Sequence, residues 1–346
     1  MRIIIDAMGG DNAPVEIVRG ACQASFEVNS ELVLVGREEK VREILAECKY
    51  DESKITIVHA EETIEMDDDP MLVVKGKTES SMAVGLKMLK EGADAFVSAG
   101  STGALHTGAT LRVRNMKGVR RAAIAALLPF DRPVLLVDSG ANISVNPENL
   151  VQWAYTGAVY MKGVMGVKKP QVGLLNNGTE ECKGTPLQIE TYKLLSECED
   201  IDFIGNVESK EIPYCRCDVL VTDGFTGNIA LKLTEGMSKF MLKSLKSLFT
   251  ANIFTKLCFL VMKKQIMGFR KKYDSAEYGG APILGISKPV IKAHGSSDAK
   301  AFKNAPLMET RPASHASLAT VRRLIKRETF KNLSKRIGLF YVYKVF

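Results

Sequence analysis

Short apolar runs rich in Ile, Val and Leu alternate along the chain with segments of helical periodicity, beginning at the first residues. The runs cover 3–5, 32–35, 55–58, 95–97, 124–128, 134–137, 172–175, 203–204 and 219–221. Runs of this kind, without polar alternation, predict strands buried on both faces. Helices are predicted between them at 15–24, 38–48, 80–90, 147–164 and 186–195. The β-α-β-α order predicts an α/β fold with a mostly parallel sheet and helices on both sides, a three-layer αβα arrangement. No repeat or low-complexity linker marks a boundary, so residues 1–305 read as a single domain.

One segment departs from the alternation. Over 229–249 the apolar residues Leu233, Met237, Phe240, Met241, Leu245, Leu248 and Phe249 recur every three or four positions, with Lys239, Lys243 and Lys246 elsewhere on the helix. A second helical pattern follows at 253–272. The two predict a protruding amphipathic hairpin over 229–272, whose tip exposes Leu248, Phe249, Ile253, Phe254 and Leu257 beside lysines. The stem is expected to pack against a second copy of the chain, giving a homodimer. The tip is expected to insert shallowly into an anionic membrane leaflet.

Composition narrows the class. The 346 residues are 46% hydrophobic and 25% charged, the proportions of a soluble globular protein. The longest apolar stretch, 248–262, is interrupted by Asn252 and Lys256 and falls short of the roughly 18 residues a spanning helix needs. The N-terminal apolar run meets Asp6 after three residues, unlike an export signal. The seven cysteines are odd in number and scattered, which also predicts a cytoplasmic protein. Only Cys215 and Cys217 form a close pair, and no histidine nearby completes a zinc pattern, so no metal is expected.

The net charge of +7 is uneven. Segment 232–272 carries +9 and segment 306–346 carries +7, so the remainder is acidic. The basic segments predict a negatively charged partner. The aromatic interleaving that stacks bases is missing, so nucleic acid is not expected.

Ligands of parallel α/β sheets bind at the carboxyl ends of strands, which directs attention to the turns there. Five are small and rich in glycine, hydroxyls or amides: 6–14, 98–104, 176–179, 223–228 and 294–298. Their backbone N–H groups, with helix N-termini behind them, are expected to gather an anion at one rim of the sheet. A single such turn is simply how a helix starts; five together point to phosphate. Dinucleotide, Walker, nucleophile-elbow and zinc-protease motifs are all missing. The remaining candidate acids and bases are His294, Lys183, Asp223 and His106.

The turns resemble those of the PlsX family, the acyl carrier protein–phosphate acyltransferases of bacterial phospholipid synthesis. The likeness is carried by MRIIIDAMGGDNAP from Met1, SAGSTGAL from Ser98, VDSGAN from Val137, NNGTEECKGTP from Asn176 and FIGNVE from Phe203. It continues in DVLVTDGFTGNIALK from Asp218, YGGAPILGI from Tyr278 and IKAHGSSDAKAFKNA from Ile291, and stops after Ala305, leaving 306–346 as an atypical basic tail.

The resemblance implies a dimeric fold like that of isopropylmalate dehydrogenases and phosphate acetyltransferases. It implies transfer of a fatty acyl group from acyl carrier protein to inorganic phosphate, with the acyl phosphate passing to a glycerol-3-phosphate acyltransferase on the way to phosphatidic acid. No cofactor is implied, because phosphate is itself the nucleophile and a thiolate leaves readily. Carried onto this chain, Lys183 would face phosphate or oxyanion, Asn228 would donate to the thioester oxygen, and His294 would contact phosphate or assist the thiolate. Asp6, Gly9, Gly10, Asn12, Ser101, Thr102, Asp223 and Gly227 would shape the pocket. Lys239, Lys243 and Lys246 would dock the acidic carrier. Two other readings stay open: a phosphotransacylase using a coenzyme A thioester, and a non-catalytic scaffold that binds anions and membranes.

Overall fold

Each predicted apolar run forms a strand. A computed structural model describes residues 1–273 and 278–309; most of the expected basic tail lies outside the described residues. In chain order the elements are β1 (Arg2–Asp6), α1 (Val15–Ser25), β2 (Glu31–Gly36), α2 (Glu38–Ala46), β3 (Ile55–His59), α3 (Leu72–Lys75), α4 (Ser81–Glu91), β4 (Ala95–Ser98) and α5 (Thr102–Gly108). A π-helical turn, Ala109–Val113, follows. Next come β5 (Ala123–Leu128), β6 (Val134–Val137), α6 (Pro147–Gly163), β7 (Gln171–Asn176), α7 (Pro186–Ser196), β8 (Asp202–Glu208) and β9 (Val219–Val221). The chain continues through α8 (Gly224–Thr250), α9 (Ile253–Lys272), β10 (Ala281–Leu284), β11 (Val290–Lys292) and α10 (Ala299–Glu309).

Helix boundaries follow local chemistry. Pro147 and Pro186 each open a helix behind a side-chain cap, Asn146 with Asn149 and Thr185 with Gln188. Ser80 caps α4 by accepting from Ala83 N–H at 3.3 Å. Helix α8 begins five residues earlier than its apolar periodicity suggests, because Asp223 caps it through Thr226 N–H at 2.9 Å.

The strands form one eleven-stranded sheet in the order β3-β2-β1-β4-β11-β10-β5-β6-β9-β7-β8. Successive side chains face opposite sides. Ile3 and Ile5 enter a core with α1, α2 and α10, and Ile4 enters one with α4 and α5. Helices α6 and α7 extend the first layer over the second half of the sheet, and α8 covers part of its other face through Ala230 and Leu231.

Direction is the feature that the alternation did not reveal. β10 pairs antiparallel with both β11 and β5, and β5 pairs antiparallel with β6. All other pairs are parallel. The sheet is therefore mostly parallel but consists of two parallel halves pointing in opposite directions. Carboxyl ends of β1, β4 and β11 lie at one rim, and those of β6, β7 and β9 at the other. The expectation of a single rim fails for this reason. β10 carries no strand-like run because it holds Pro282 and spans four residues.

Helix α8, about 40 Å long at 1.5 Å per residue, is anchored in its first third, where Gly224 and Gly227 are buried and Ala230 and Leu231 are partly so. Gly224 N–H donates to Asn142 O at 2.8 Å. A Cβ on Gly227 would lie 1.9 Å from Asp138 O. Helix α9 is tied at its end, where Lys272 pairs with Asp131 at 2.8 Å and Tyr273 Oη donates to the same carboxylate at 2.7 Å. We expect Gly227→Ala to lift α8 from the β6 turn and destabilise the protein by about 1–3 kcal/mol, read as an earlier urea midpoint; an unchanged midpoint would mean that the helix start yields freely.

Candidate active site

Three of the five turns meet. Asp6, the last residue of β1, is 1% exposed. It accepts from Ser81 Oγ and Ser98 Oγ, each at 2.6 Å, and from Met8 N–H at 3.3 Å. Burial raises its pKa, and these donors oppose the rise. Its role is to tie the β1 turn to α4 and to the end of β4. Gly9 permits this: a Cβ there would come 2.4 Å from Asp6 Oδ2 and 2.9 Å from Gly100 N. Gly10 adopts φ 121° and packs against Ala99 and Gly295 O.

The third turn of this rim follows β11. Asp11 N–H donates to Gly295 O at 2.9 Å, and Asn12 Nδ2 donates to Ser297 O at 3.3 Å and Ser296 O at 3.4 Å. Asn12 thus bridges two turns. Ser101 caps α5 by accepting from Ala104 N–H, and Thr102 stands exposed as the first residue of that helix.

His294 sits at the open side of this rim. Ser296 N–H donates to its Nδ1 at 3.3 Å, and Ser296 Oγ lies 2.9 Å from the same nitrogen. A backbone N–H can only donate, so the neutral ring carries its proton on Nε2. Desolvation lowers its pKa below the usual histidine value; Lys232, Lys292 and Lys239 push it further down, and Glu235 opposes. His294 is therefore neutral near pH 7, suited to donate from Nε2 rather than to act as a cation.

Lys183, Asn228, Asp223 and Gly227 lie at the opposite rim. Lys183 is exposed in the turn after β7, whose shape is held by Asn176 Nδ2 donating to Lys183 O at 3.0 Å. Asn228 is in the second turn of α8, not at its cap, and donates from Nδ2 to Ser139 O at 3.1 Å. The cap itself is Asp223. Gly227 packs closely against Asp138 O, and its N–H donates to Asp223 O at 2.9 Å. His106, the remaining candidate, holds Ala122 O at 3.1 Å through Nε2 and belongs to the wall.

Sequence reasoning missed two residues. Asp138, fully buried after β6, accepts from Ile124, Gly140, Ala141 and Asn142 N–H and from Asn142 Nδ2 at 2.7–3.2 Å. It builds the turn on which Asn228 rests, and a carboxylate directly after an apolar run was the signal available. Lys292, buried at the end of β11, is the other. Among the cysteines, Cys215 and Cys217 are buried and the Cys217 thiol is pushed up to about 12 by burial, so it is no nucleophile at neutral pH.

The hairpin is present, turned by Asn252, whose Oδ1 accepts from Thr255 N–H at 3.0 Å. Leu248, Ile253, Phe254 and Leu257 are exposed at its tip, and Lys239, Lys243 and Lys246 are exposed on the stem. Phe249 departs from expectation: it is half-buried against Phe259, ring centroids 5.8 Å apart. Among the described residues no helix is long and apolar enough to cross a membrane.

Fold and turns together define an α/β protein of the kind seen in phosphotransacetylases. A phosphotransacetylase from Streptococcus pyogenes superposes with a TM-score of 0.62 at 18% identity, covering 91% of this chain and 94% of that one. A 4-hydroxythreonine-4-phosphate dehydrogenase from Klebsiella pneumoniae superposes at 0.54 with 12% identity, covering 92% and 99%. Sequence takes the assignment further. Residues 1–315 match the fatty acid synthesis protein family, and the chain belongs to it. A phosphate acyltransferase from Clostridium perfringens strain SM101 is 42% identical over 338 residues, covering 97% of this chain and all of the relative. One from Dictyoglomus turgidum is 45% identical over 308 residues, covering 88% and 92%. The protein is accordingly an acyltransferase of the phosphate acyltransferase kind.

The charge field on His294 gives a direct check. Removing a nearby cation favours imidazolium, so Lys232→Gln should raise the His294 pKa toward its ordinary value, followed by NMR titration of the ring protons. A fall, or no change, would place α8 away from this rim.

Proposed function

We propose that the protein transfers a fatty acyl group from the thioester of acyl carrier protein to inorganic phosphate. A phosphate oxygen attacks the carbonyl carbon, the tetrahedral oxyanion collapses, the C–S bond breaks, and the products are an acyl phosphate and the carrier thiolate, which takes a proton from solvent. The observation that carries this reading is the match to phosphate acyltransferases along nearly the whole chain. No side chain need become covalently linked. Holding the two reactants in register contributes roughly 7–11 kcal/mol to lowering the barrier, and each oxyanion donor roughly 3–4 kcal/mol.

The opposite rims bear on how the site is assembled. Helix α8 starts at the Lys183 and Asn228 rim, and its middle, around Lys232 to Lys239, acts on His294 at the other. Its outer face carries Phe225, Ile229, Leu233, Met237, Phe240 and Met241, all exposed. Such a stripe is what a second copy would cover. Asn228 lies one helical turn from Lys232, which acts on His294, so α8 itself carries the Asn228 amide toward the phosphate turns. The stem lysines would receive the acidic carrier, and the apolar tip would rest in an anionic leaflet, where an acyl phosphate is next consumed in phosphatidic acid synthesis.

Two experiments test the reading. Phosphate-dependent consumption of acyl carrier protein thioester is expected, with coenzyme A thioester a poor donor, and Lys183→Ala or Asn228→Ala should each reduce it about 10²-fold or more. Full activity in both variants, or equal use of the two donors, overturns the assignment. Flotation with anionic vesicles should carry the wild type and lose a variant with Leu248, Phe254 and Leu257 changed to Ser; equal flotation removes the membrane role.

A further inference from the structure

Lys292 closes β11 level with Ser98 on β4, its register partner, and one step beyond the pairing of Val97 with Ile5 on β1. The residue is 9% exposed. Its ammonium donates to Ala99 O at 2.9 Å and to Ala293 O at 2.5 Å. Those carbonyls belong to the turns after β4 and β11, so the cation lies beneath the junction where the β1, β4 and β11 turns meet.

The groups that face it do not neutralise it. Asp6, on β1, is committed to the hydroxyls of Ser81 and Ser98. Asp11, in the following turn, acts on it through space, as does Asp6, and neither forms an ion pair with it among the described residues. Lys232, on α8, repels it, and His294, two residues on, is held neutral near pH 7. Burial is the leading reason that its pKa falls to about 8.

Bridging two carbonyls does not require a charge. A buried amide or hydroxyl would do so without the cost of an ammonium that has no counter-ion in contact. What the charge adds is attraction for an anion. An ammonium has three N–H donors, and two are used here. We propose that Lys292 is the buried cation that receives inorganic phosphate at this rim, its third N–H completing the contact. The proposal rests on the reading of phosphate as acyl acceptor. An arriving phosphate supplies the missing counter-charge and raises the pKa of Lys292, so phosphate and a proton on Lys292 bind together. Affinity for phosphate therefore weakens as pH rises past about 8.

The test is the thermal midpoint of the full chain, titrated with inorganic phosphate near pH 7 and near pH 9, for wild type, Lys292→Met and Lys292→Arg. Phosphate should raise the wild-type midpoint near pH 7, and about tenfold more should be needed near pH 9. Lys292→Met should need at least about tenfold more phosphate than wild type near pH 7 and show little dependence on pH. Lys292→Arg should respond equally at both pH values, because a guanidinium stays charged. Should Lys292→Met not fold, the Lys292→Arg curves decide alone. A phosphate response in Lys292→Met equal to wild type, a wild-type response that does not weaken near pH 9, or no wild-type response at all overturns the proposal. Thioester turnover plays no part in the measurement, so phosphate binding through Lys292 without acyl transfer would sink the enzymatic reading and leave this one standing.

Discussion

The reversal of strand direction across β10, β5 and β6 governs everything else in this molecule. Strand carboxyl ends are where α/β sheets place their turns, and reversing half the sheet divides those turns into two groups. One group gathers around Asp6 and Lys292, the other around Asp138. The candidate residues for acyl transfer are divided between them. The backbone N–H groups and the buried cation are at the first, and the exposed Lys183 and the Asn228 amide at the second. A chain built this way has to bridge its own rims, and α8 is the element that starts at one and acts electrostatically on the other.

The first rim is held together at a cost. Asp6 is pushed toward its neutral acid by burial, and Lys292 toward its neutral amine. The linkage signs differ. A raised carboxyl pKa contributes stability at low pH that is lost as pH rises through it. A depressed lysine pKa penalises the folded state below about pH 8, and the penalty fades as pH rises from there toward the unfolded value. Holding Lys292 charged at neutral pH costs about 3 kcal/mol. Side-chain hydroxyls contact and stabilise Asp6, whereas Lys292 contacts only carbonyl oxygens and feels the Asp11 and Asp6 carboxylates from a distance. That asymmetry separates an anchor, satisfied within the fold, from a residue whose partner comes from outside.

Much of this was legible in the residues, for identifiable reasons. Runs such as 32–35 and 134–137 are apolar throughout because both sheet faces are covered, so the strands and their layers could be read directly. Gly9, Gly10 and Asn12 were legible as a turn, and they join β1, β4 and β11 as contacts. Direction was not legible, because β10 and β11 are four and three residues long, the first holding a proline, and an apolar run looks the same in either orientation. Asp138 and Lys292 were overlooked for a related reason. Each sits at the seam between strand and turn, where a charged residue reads as the end of a buried segment, and only the tertiary fold encloses it. The early start of α8 likewise depended on the capping Asp223, which periodicity of apolar positions does not register.

The bareness of α8 follows from the same division. A helix that covered its half of the sheet in the usual way would bury an apolar stripe along its length, yet Gly224 and Gly227 are its buried residues, Ala230 and Leu231 are only partly covered, and Phe225, Ile229, Leu233, Met237, Phe240 and Met241 are exposed. In the position it holds, α8 sets Lys232, Glu235 and Lys239 in the field of His294. The same position leaves six large side chains in water, each forgoing about 1.5–3 kcal/mol of burial. A deficit of that size is comparable to the stability of a whole domain. An exposed stripe on that scale is the size of surface that binding partners cover, and on α8 it runs from the β6 rim toward His294.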